Sequence, residues 1–375
     1  MIRVDRQALA ALHEREAARF LATHARSAAL AAEDAQHFLF GVPLHWMRDW
    51  PTPAVLHVER AQGNRLYCAD GHEYLDFCLG DTGAMFGHSP APVARAIAGQ
   101  ASRGLTAMLP STLTAEVGQR LAHCFRLPRW QITLSASDAN RFVLRWARAI
   151  TGRPRVLVFD GCYHGTVDDT LVDMDAQQRT LTRASLLGQV HDLALGTVVV
   201  PFNDIAAVER ALARGDVACV LTEPALTNCG LVPPLPGFLA QLQRACRAHG
   251  SLLVLDETHT VSSGWGGHAR VEELEPDFMV IGKAIAGGLP CAVYGFSEAM
   301  NARMEAAKRA APDGHSGIGT TLSANLLAIA ALHANLGEVM TPANYERMLA
   351  TAAAIEARLR ELLQHAGVPW SVTRL

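Results

Sequence analysis

No apolar run in the 375-residue chain reaches the length needed to span a bilayer, and the N-terminus lacks the apolar core of a secretory signal. Cysteine is scattered rather than clustered: the eight residues, at 68, 78, 124, 162, 219, 229, 246 and 291, form no CxxC pair and no finger-type spacing. This excludes the common zinc and redox motifs and suits reduced thiols in a cytoplasmic protein. Sixteen histidines supply no HExxH, so no metal site is expected. Strong charge of either sign is missing as well. A formal net charge of −3 attracts neither nucleic acid nor an anionic membrane, and neither is expected as a partner. There is no internal repeat and no low-complexity linker. What remains is 50% hydrophobic and 18% charged, the composition of a soluble globular chain with room for one large domain and a smaller one.

The stretch from Leu252 to Pro290 organises the rest. An apolar run ends in Asp256-Glu257, and a second, Phe278 to Ile281, ends in Gly282-Lys283 and then Gly287-Gly288. Short apolar runs bounded by glycine and polar residues fit strands buried on both faces of a parallel sheet. Ligands of such sheets sit beyond the carboxyl ends of the strands, so Asp256 and Lys283 can face one crevice. A lysine amine there can form a Schiff base with a carbonyl, and a carboxylate can pair with the ring nitrogen of pyridoxal phosphate (PLP). Taken alone, Gly282-Lys283 reads more readily as a solvated loop lysine.

Around this stretch the chain alternates strands and helices. Residues 4–34 carry apolar residues at helical spacing, and 41–53 form a covering segment rich in Pro and Trp. Arg48 lies there between two tryptophans, as a cation stacked on an aromatic ring or as a ligand for a substrate. Residues 55–79 alternate as strands, with Asp70-Gly71 as a hairpin turn. The loop GDTGAMFGHSP follows, and helices are predicted from Pro92 and over 112–125. Gln131–Leu134 form a strand leading into Ser135, Ala136 and Ser137 and a helix N-terminus, an arrangement that binds anions through free N–H groups. Ser137 also reads as a plain N-cap. Further strands are predicted at Arg155–Asp160, before the Tyr163-His164-Gly165 loop, and at 197–202, 217–224 and 292–296, while 173–195 reads as irregular. Glu223 closes its strand at the ligand-binding end. Helices are expected over 204–214, 238–249, 297–310, 326–338 and 342–365, and residues 368–375 as the start of a strand. The βαβ alternation predicts a right-handed, mainly parallel sheet flanked by helices.

In their order, LSASDAN, FDGCYHG, LTEP, LVLDE, GKAIAGGLP and GTTLSAN resemble the class III PLP-dependent aminotransferases of fold type I, nearest the glutamate-1-semialdehyde aminomutase branch. The likeness covers roughly residues 55–365. It implies an α/β fold with a large PLP-binding domain at 61–335, an N-terminal covering segment at 1–60 and the start of a small C-terminal domain at 336–375. The resemblance implies that Lys283 holds the cofactor as a Schiff base, that Asp256 meets the pyridine nitrogen, and that Ser135, Ala136 and Ser137 form the phosphate loop. It also implies that Tyr163 stacks on the ring with His164 beside it, that Glu223 and Asn228 lie near the phenolic oxygen, and that Thr320 or Thr321 reaches the phosphate of a neighbouring subunit in a homodimer. The implied substrates are a small amino donor and a keto or aldehyde acceptor.

Several positions depart from the family pattern. Ala136 and Ser137 replace Gly and Thr, Thr258 replaces a Val on the ring, and GVPLHWMRDW replaces the segment that places a substrate residue, here Arg48. Asp81 stands at or beside an aromatic position near the substrate, where a carboxylate favours a distal cation. A turn cap is the other reading of Asp81. The family's chains continue for several tens of residues beyond the position of Leu375, so the small domain's closing sheet is expected to be missing. Aminotransferase, aminomutase and racemase share these motifs, and an inactive truncated homologue is the further alternative. A Walker B reading of LLVLDE finds no GxxxxGK[ST] partner.

Overall fold

The computed structural model describes residues 5–375. Two helices, α1 (Arg6–Thr23) and α2 (Ala25–Asp34), come first, with Asp5 capping the first through the N–H groups of Gln7 and Ala8. None of the side chains of α1 is buried, so Leu9, Leu12 and Leu21 remain on the surface. An antiparallel meander follows: β1 (Val58–Gln62), β2 (Arg65–Cys68) and β3 (Glu73–Leu75).

The helices α3 (Ala91–Ala101) and α4 (Thr114–Phe125) lead into a seven-stranded sheet. Its strands are β4 (Arg129–Thr133), β5 (Arg155–Phe159), β8 (Thr197–Val200), β9 (Val217–Thr222), β10 (Leu252–Asp256), β11 (Phe278–Ile281) and β12 (Ala292–Phe296), in the order β4-β12-β11-β10-β9-β5-β8. Only β12 runs against its neighbours. Strands β9 to β12 are buried along their whole length, as expected where helices cover both faces. The helices are α5 (Ala136–Thr151), α6 (Ile205–Leu212), α7 (Phe238–His249), the short α8 (Gly267–Val271) and α9 (Glu298–Ala310). Helix α5 buries Phe142, Val143 and Leu144 against the sheet, each contributing roughly 1.5–3 kcal/mol, and ends at Gly152 in the left-handed region.

Three readings of the sequence change. The span 173–195 is not wholly irregular, because β6 (Val172–Met174) and β7 (Thr180–Thr182) pair as a short hairpin. The helix predicted over 326–338 is α10 (Leu326–Ala334) running into a π-turn at Asn335–Val339. Residues 368–375 form no strand after α11 (Pro342–Ala366). Among the described residues, no single helix is long and apolar enough to cross a membrane.

Candidate active site

Every parallel strand near the middle of the sheet delivers a polar residue at its carboxyl end, and these converge on a cavity of about 410 Å³. Ser135, Ala136 and Ser137 enter after β4, Tyr163 and His164 after β5, Glu223 after β9, Asp256 and Thr258 from β10 and Lys283 after β11. A larger cleft of about 670 Å³ lies between α5 and α9, beside Arg145 and Lys308, and carries none of them.

Asp256 forms the floor. Its carboxylate is fully buried and accepts from Asn140 Nδ2 at 2.8 Å, His164 Nδ1 at 3.0 Å and the Thr258 N–H at 3.1 Å. Burial alone would raise its pKa, but the His164 bond and charge outweigh that, so it stays below the ordinary aspartate value. The partner moves the opposite way. Burial disfavours the His164 cation, yet Cys162 and Asp256 raise the imidazole to about 10. Glu223 is pushed up by burial while its carboxylate accepts from the Tyr163 N–H at 3.2 Å and from Thr227 Oγ1 at 2.5 Å.

Ser135, not Ser137, caps α5: its hydroxyl accepts from the Asp138 N–H at 3.2 Å. Ser137 Oγ instead accepts from the Thr166 N–H at 3.0 Å. Among the described residues the N–H groups of Ala136 and Ser137 meet no acceptor, as expected at a helix start, and both residues line the cavity. Packing leaves no slack there. A Cβ on Gly165 would stand 2.0 Å from Ser137 Oγ, and one on Gly282 would stand 2.9 Å from the Ala136 Cβ.

Lys283 adopts a left-handed φ of +48°, a strained position for a residue with a side chain. Asn335, from the π-turn, donates to the carbonyls of Ala284 and Ile285 at 2.9 and 2.8 Å and holds the turn that carries it. Lys283 Nζ donates to Asp81 Oδ2 at 2.5 Å and lies 2.5 Å from His259 Nε2. The turn at residues 79–82 is capped by Asp76, which accepts from the N–H groups of Cys78 and Leu79, so Asp81 is not its cap.

Four predicted residues lie elsewhere. Asn228 is exposed and outside the cavity, and Thr227 occupies the place beside Glu223. Arg48 is exposed and its guanidinium sits 5.5 Å over the Phe40 ring rather than on either tryptophan. Thr320 and Thr321 line a separate hollow with Met108 and Leu109. Sequence reasoning missed Asn140, Thr227 and His259. Asn140 sits two residues after Asp138 on a helix and looks like a surface amide, but its position on the buried side beside Ala139 and Val143 was a usable signal.

Residues 47–374 match the aminotransferase class-III family. The chain belongs to that family. Its relatives include the glutamate-1-semialdehyde 2,1-aminomutase of Sorangium cellulosum, 36% identical over 325 residues, 85% of this chain and 72% of that protein. A glutamate-1-semialdehyde aminomutase structure from Pseudomonas aeruginosa PAO1 superposes with a TM-score of 0.95 at 48% identity, covering 99% of this chain and 83% of that one. An omega-transaminase from Sphaerobacter thermophilus gives 0.84 at 29% identity, over 93% and 80% of the two chains. Class-III aminotransferases are PLP-dependent enzymes acting on small molecules. The residues here fit that cofactor. Among the described residues, two buried polar atoms of the cavity lining, Thr258 Oγ1 and His164 Nε2, have no partner, and the N–H groups at the start of α5 suit a phosphate.

Proposed function

We propose that this class-III aminotransferase moves an amino group from a small amino donor to a keto acid or aldehyde, with Lys283 as the Schiff-base residue. The observation that carries the reading is the pairing of Lys283 and Asp256 at the ends of adjacent strands, on one cavity. When bound, PLP supplies an aldehyde and a ring that accepts electron density. Asp256, kept ionised by His164 and Asn140, holds a proton at the ring nitrogen. Ala136 and Ser137 bind the phosphate through their N–H groups, and Ser135 fixes the helix that presents them. Tyr163 and Thr258, both on the cavity wall, would hold the ring between them, and His164 orients Asp256. Glu223, on the same cavity, would meet the cofactor's phenolic oxygen. Lys283 moves protons at the reacting carbon.

An aminomutase is the second reading, favoured by the likeness to the Pseudomonas aeruginosa structure. Amine donors assayed with and without pyruvate or 2-oxoglutarate separate the two. Turnover that needs an added acceptor supports aminotransfer, and rearrangement of a single substrate without one supports the aminomutase. An enzyme whose visible absorbance is unchanged by added PLP would sink both.

The reading includes a homodimer in which Thr320 or Thr321 serves the neighbouring subunit, and a reducing cytoplasmic setting, consistent with eight free thiols. It also places the large domain at 61–335, with the flanking segments forming the smaller unit. At the substrate end, Asp81 has a largely exposed carboxylate, and no arginine lines the cavity. Donors with a distal cation should therefore be preferred over dicarboxylic ones. Asp81→Asn should lower that preference, read as a ratio of kcat/KM values, by about fivefold, the scale of an exposed charge pair. An unchanged ratio would remove Asp81 from substrate selection.

A further inference from the structure

The turn facing Lys283 is built at a cost. Leu79, Gly80, Asp81 and Thr82 follow one another with φ of 50°, 58°, 53° and 75°, a left-handed run that residues with side chains resist. Asp76 fixes its start, and is itself held by His88 Nε2 at 2.6 Å. The strain delivers two side chains. Asp81 reaches Lys283 Nζ, and Thr82 Oγ1 lies 3.1 Å from His259 Nδ1. His259, largely buried at the end of β10, presents its other nitrogen to the same lysine at 2.5 Å. A lysine ammonium can only donate, so Nε2 accepts, and Nδ1 carries the proton and donates to Thr82. The tautomer is thus set by contacts on both sides of the ring.

An ammonium is no nucleophile. With the Asp81 carboxylate 2.5 Å away, a free amine forms only if its proton has somewhere to go. We propose that His259 is that acceptor: a further catalytic residue that takes a proton from Lys283 Nζ while Asp81 serves as counter-ion to whichever of the two is charged. The inference rests on the PLP reading of the site. Lys283 gives one proton to the Nε2 lone pair and keeps two with a free lone pair on Nζ. When Nζ bonds to a carbonyl carbon, the carbonyl oxygen leaves as water with those two protons, and the imidazolium retains the third. Asp81 Oδ2 stands 3.9 Å from Nε2, so the new cation meets the carboxylate that the lysine charge has left.

In the resting pair, electrostatics oppose the exchange. Burial and then the Lys283 charge hold the His259 pKa below its ordinary value, whereas Asp81 and Asp256 act to raise it. Loss of the lysine charge removes one of the two depressing influences at the moment the acceptor is needed.

Two measurements on the full chain test this. In histidine-labelled, cofactor-stripped enzyme, NMR should find His259 neutral with the proton on Nδ1. Lys283→Met should raise its pKa by about one unit or more, a tenfold shift in proton affinity. An unchanged pKa would show that the pair is uncoupled and overturn the proposal. In the second measurement, stopped-flow absorbance follows capture of added PLP by the stripped enzyme. His259→Gln keeps an acceptor but cannot carry a proton, and should slow capture near neutral pH by about a hundredfold. The gap should narrow as pH rises and hydroxide takes over the acceptor's role. A pH–rate profile identical to wild type would overturn the relay. Should His259→Gln fail to fold, Thr82→Val, which frees the tautomer, should show a smaller loss of the same kind, and no loss there would overturn it equally. If wild type captures no PLP, the cofactor reading fails, while the histidine titration still decides the relay.

Discussion

At the scale of the residue, the site rests on two charges with opposite needs. Lys283 must be reactive and is placed at the cavity wall. Asp256 must stay ionised in a fully buried position, which three donors make possible. Lys283→Ala should abolish turnover and leave any bound PLP removable by dialysis, and borohydride treatment should fix no cofactor to the chain. Normal trapping in that variant would assign the Schiff base to another lysine. Asp256→Asn should slow proton abstraction by at least about a hundredfold, since a neutral pyridine is a poor electron sink. It should also alter the dependence of stability on pH. A depressed aspartate pKa stabilises the fold above the unfolded aspartate value, and that contribution is lost as pH falls through the folded value. The raised His164 pKa stabilises it fully below the unfolded histidine value, and that is lost between about 6.5 and about 10. Thermal melts from pH 3 to 10 should therefore show a plateau in wild type that Asp256→Asn flattens at both ends. Asp256 and Lys283 were legible in the sequence because each ends an apolar run. His259 was not, since its meaning depends on a lysine 24 residues away, in the turn after another strand.

At the scale of the element, strand ends and glycine turns place the chemistry. Buried strands such as β10, β11 and β12 announce themselves as apolar runs, and the residues that end them fall at the site for topological reasons. Elements without that pressure were harder to see: β6 and β7 are three residues each, half-polar and separated by a polar loop. The sequence offered Ser137 as a cap for α5, and only the register of the helix decided for Ser135. Between β5 and α5 the fit is close enough to predict a failure. Gly165 has φ of +80° and its missing Cβ leaves space for Ser137 Oγ. Gly165→Ala should cost about 2 kcal/mol or more in urea unfolding, combining backbone strain with a displaced serine. It should also weaken PLP binding, because Ser137 could not keep its bond to the Thr166 N–H. Unchanged stability and affinity would mean that the loop relaxes freely.

At the scale of the whole molecule, one surface lacks an explanation within a single chain. Met108 and Leu109 are 79% and 70% exposed, and they border the hollow that also holds Thr320 and Thr321. Leu105 and Leu322, half-exposed, lie close by in sequence. Large apolar side chains clustered on a surface mark a contact site, and the threonines assigned to cofactor binding lie on the same surface rather than in their own cavity. Both facts follow if a second copy covers this face, so that each chain's threonine loop completes its neighbour's site. Assembly and cofactor affinity should then fail together. Leu109→Glu, which puts a charge into the proposed contact while leaving the sheet and the Lys283 cavity untouched, should shift the sedimentation profile from dimer towards monomer. In the same samples PLP should bind at least about tenfold more weakly, as expected when a phosphate ligand is lost. Thr321→Val should weaken PLP binding without dissociating the dimer. A wild-type monomer that binds PLP as tightly as a dimeric relative, or a Leu109→Glu monomer with undiminished affinity, would show that each chain completes its own site.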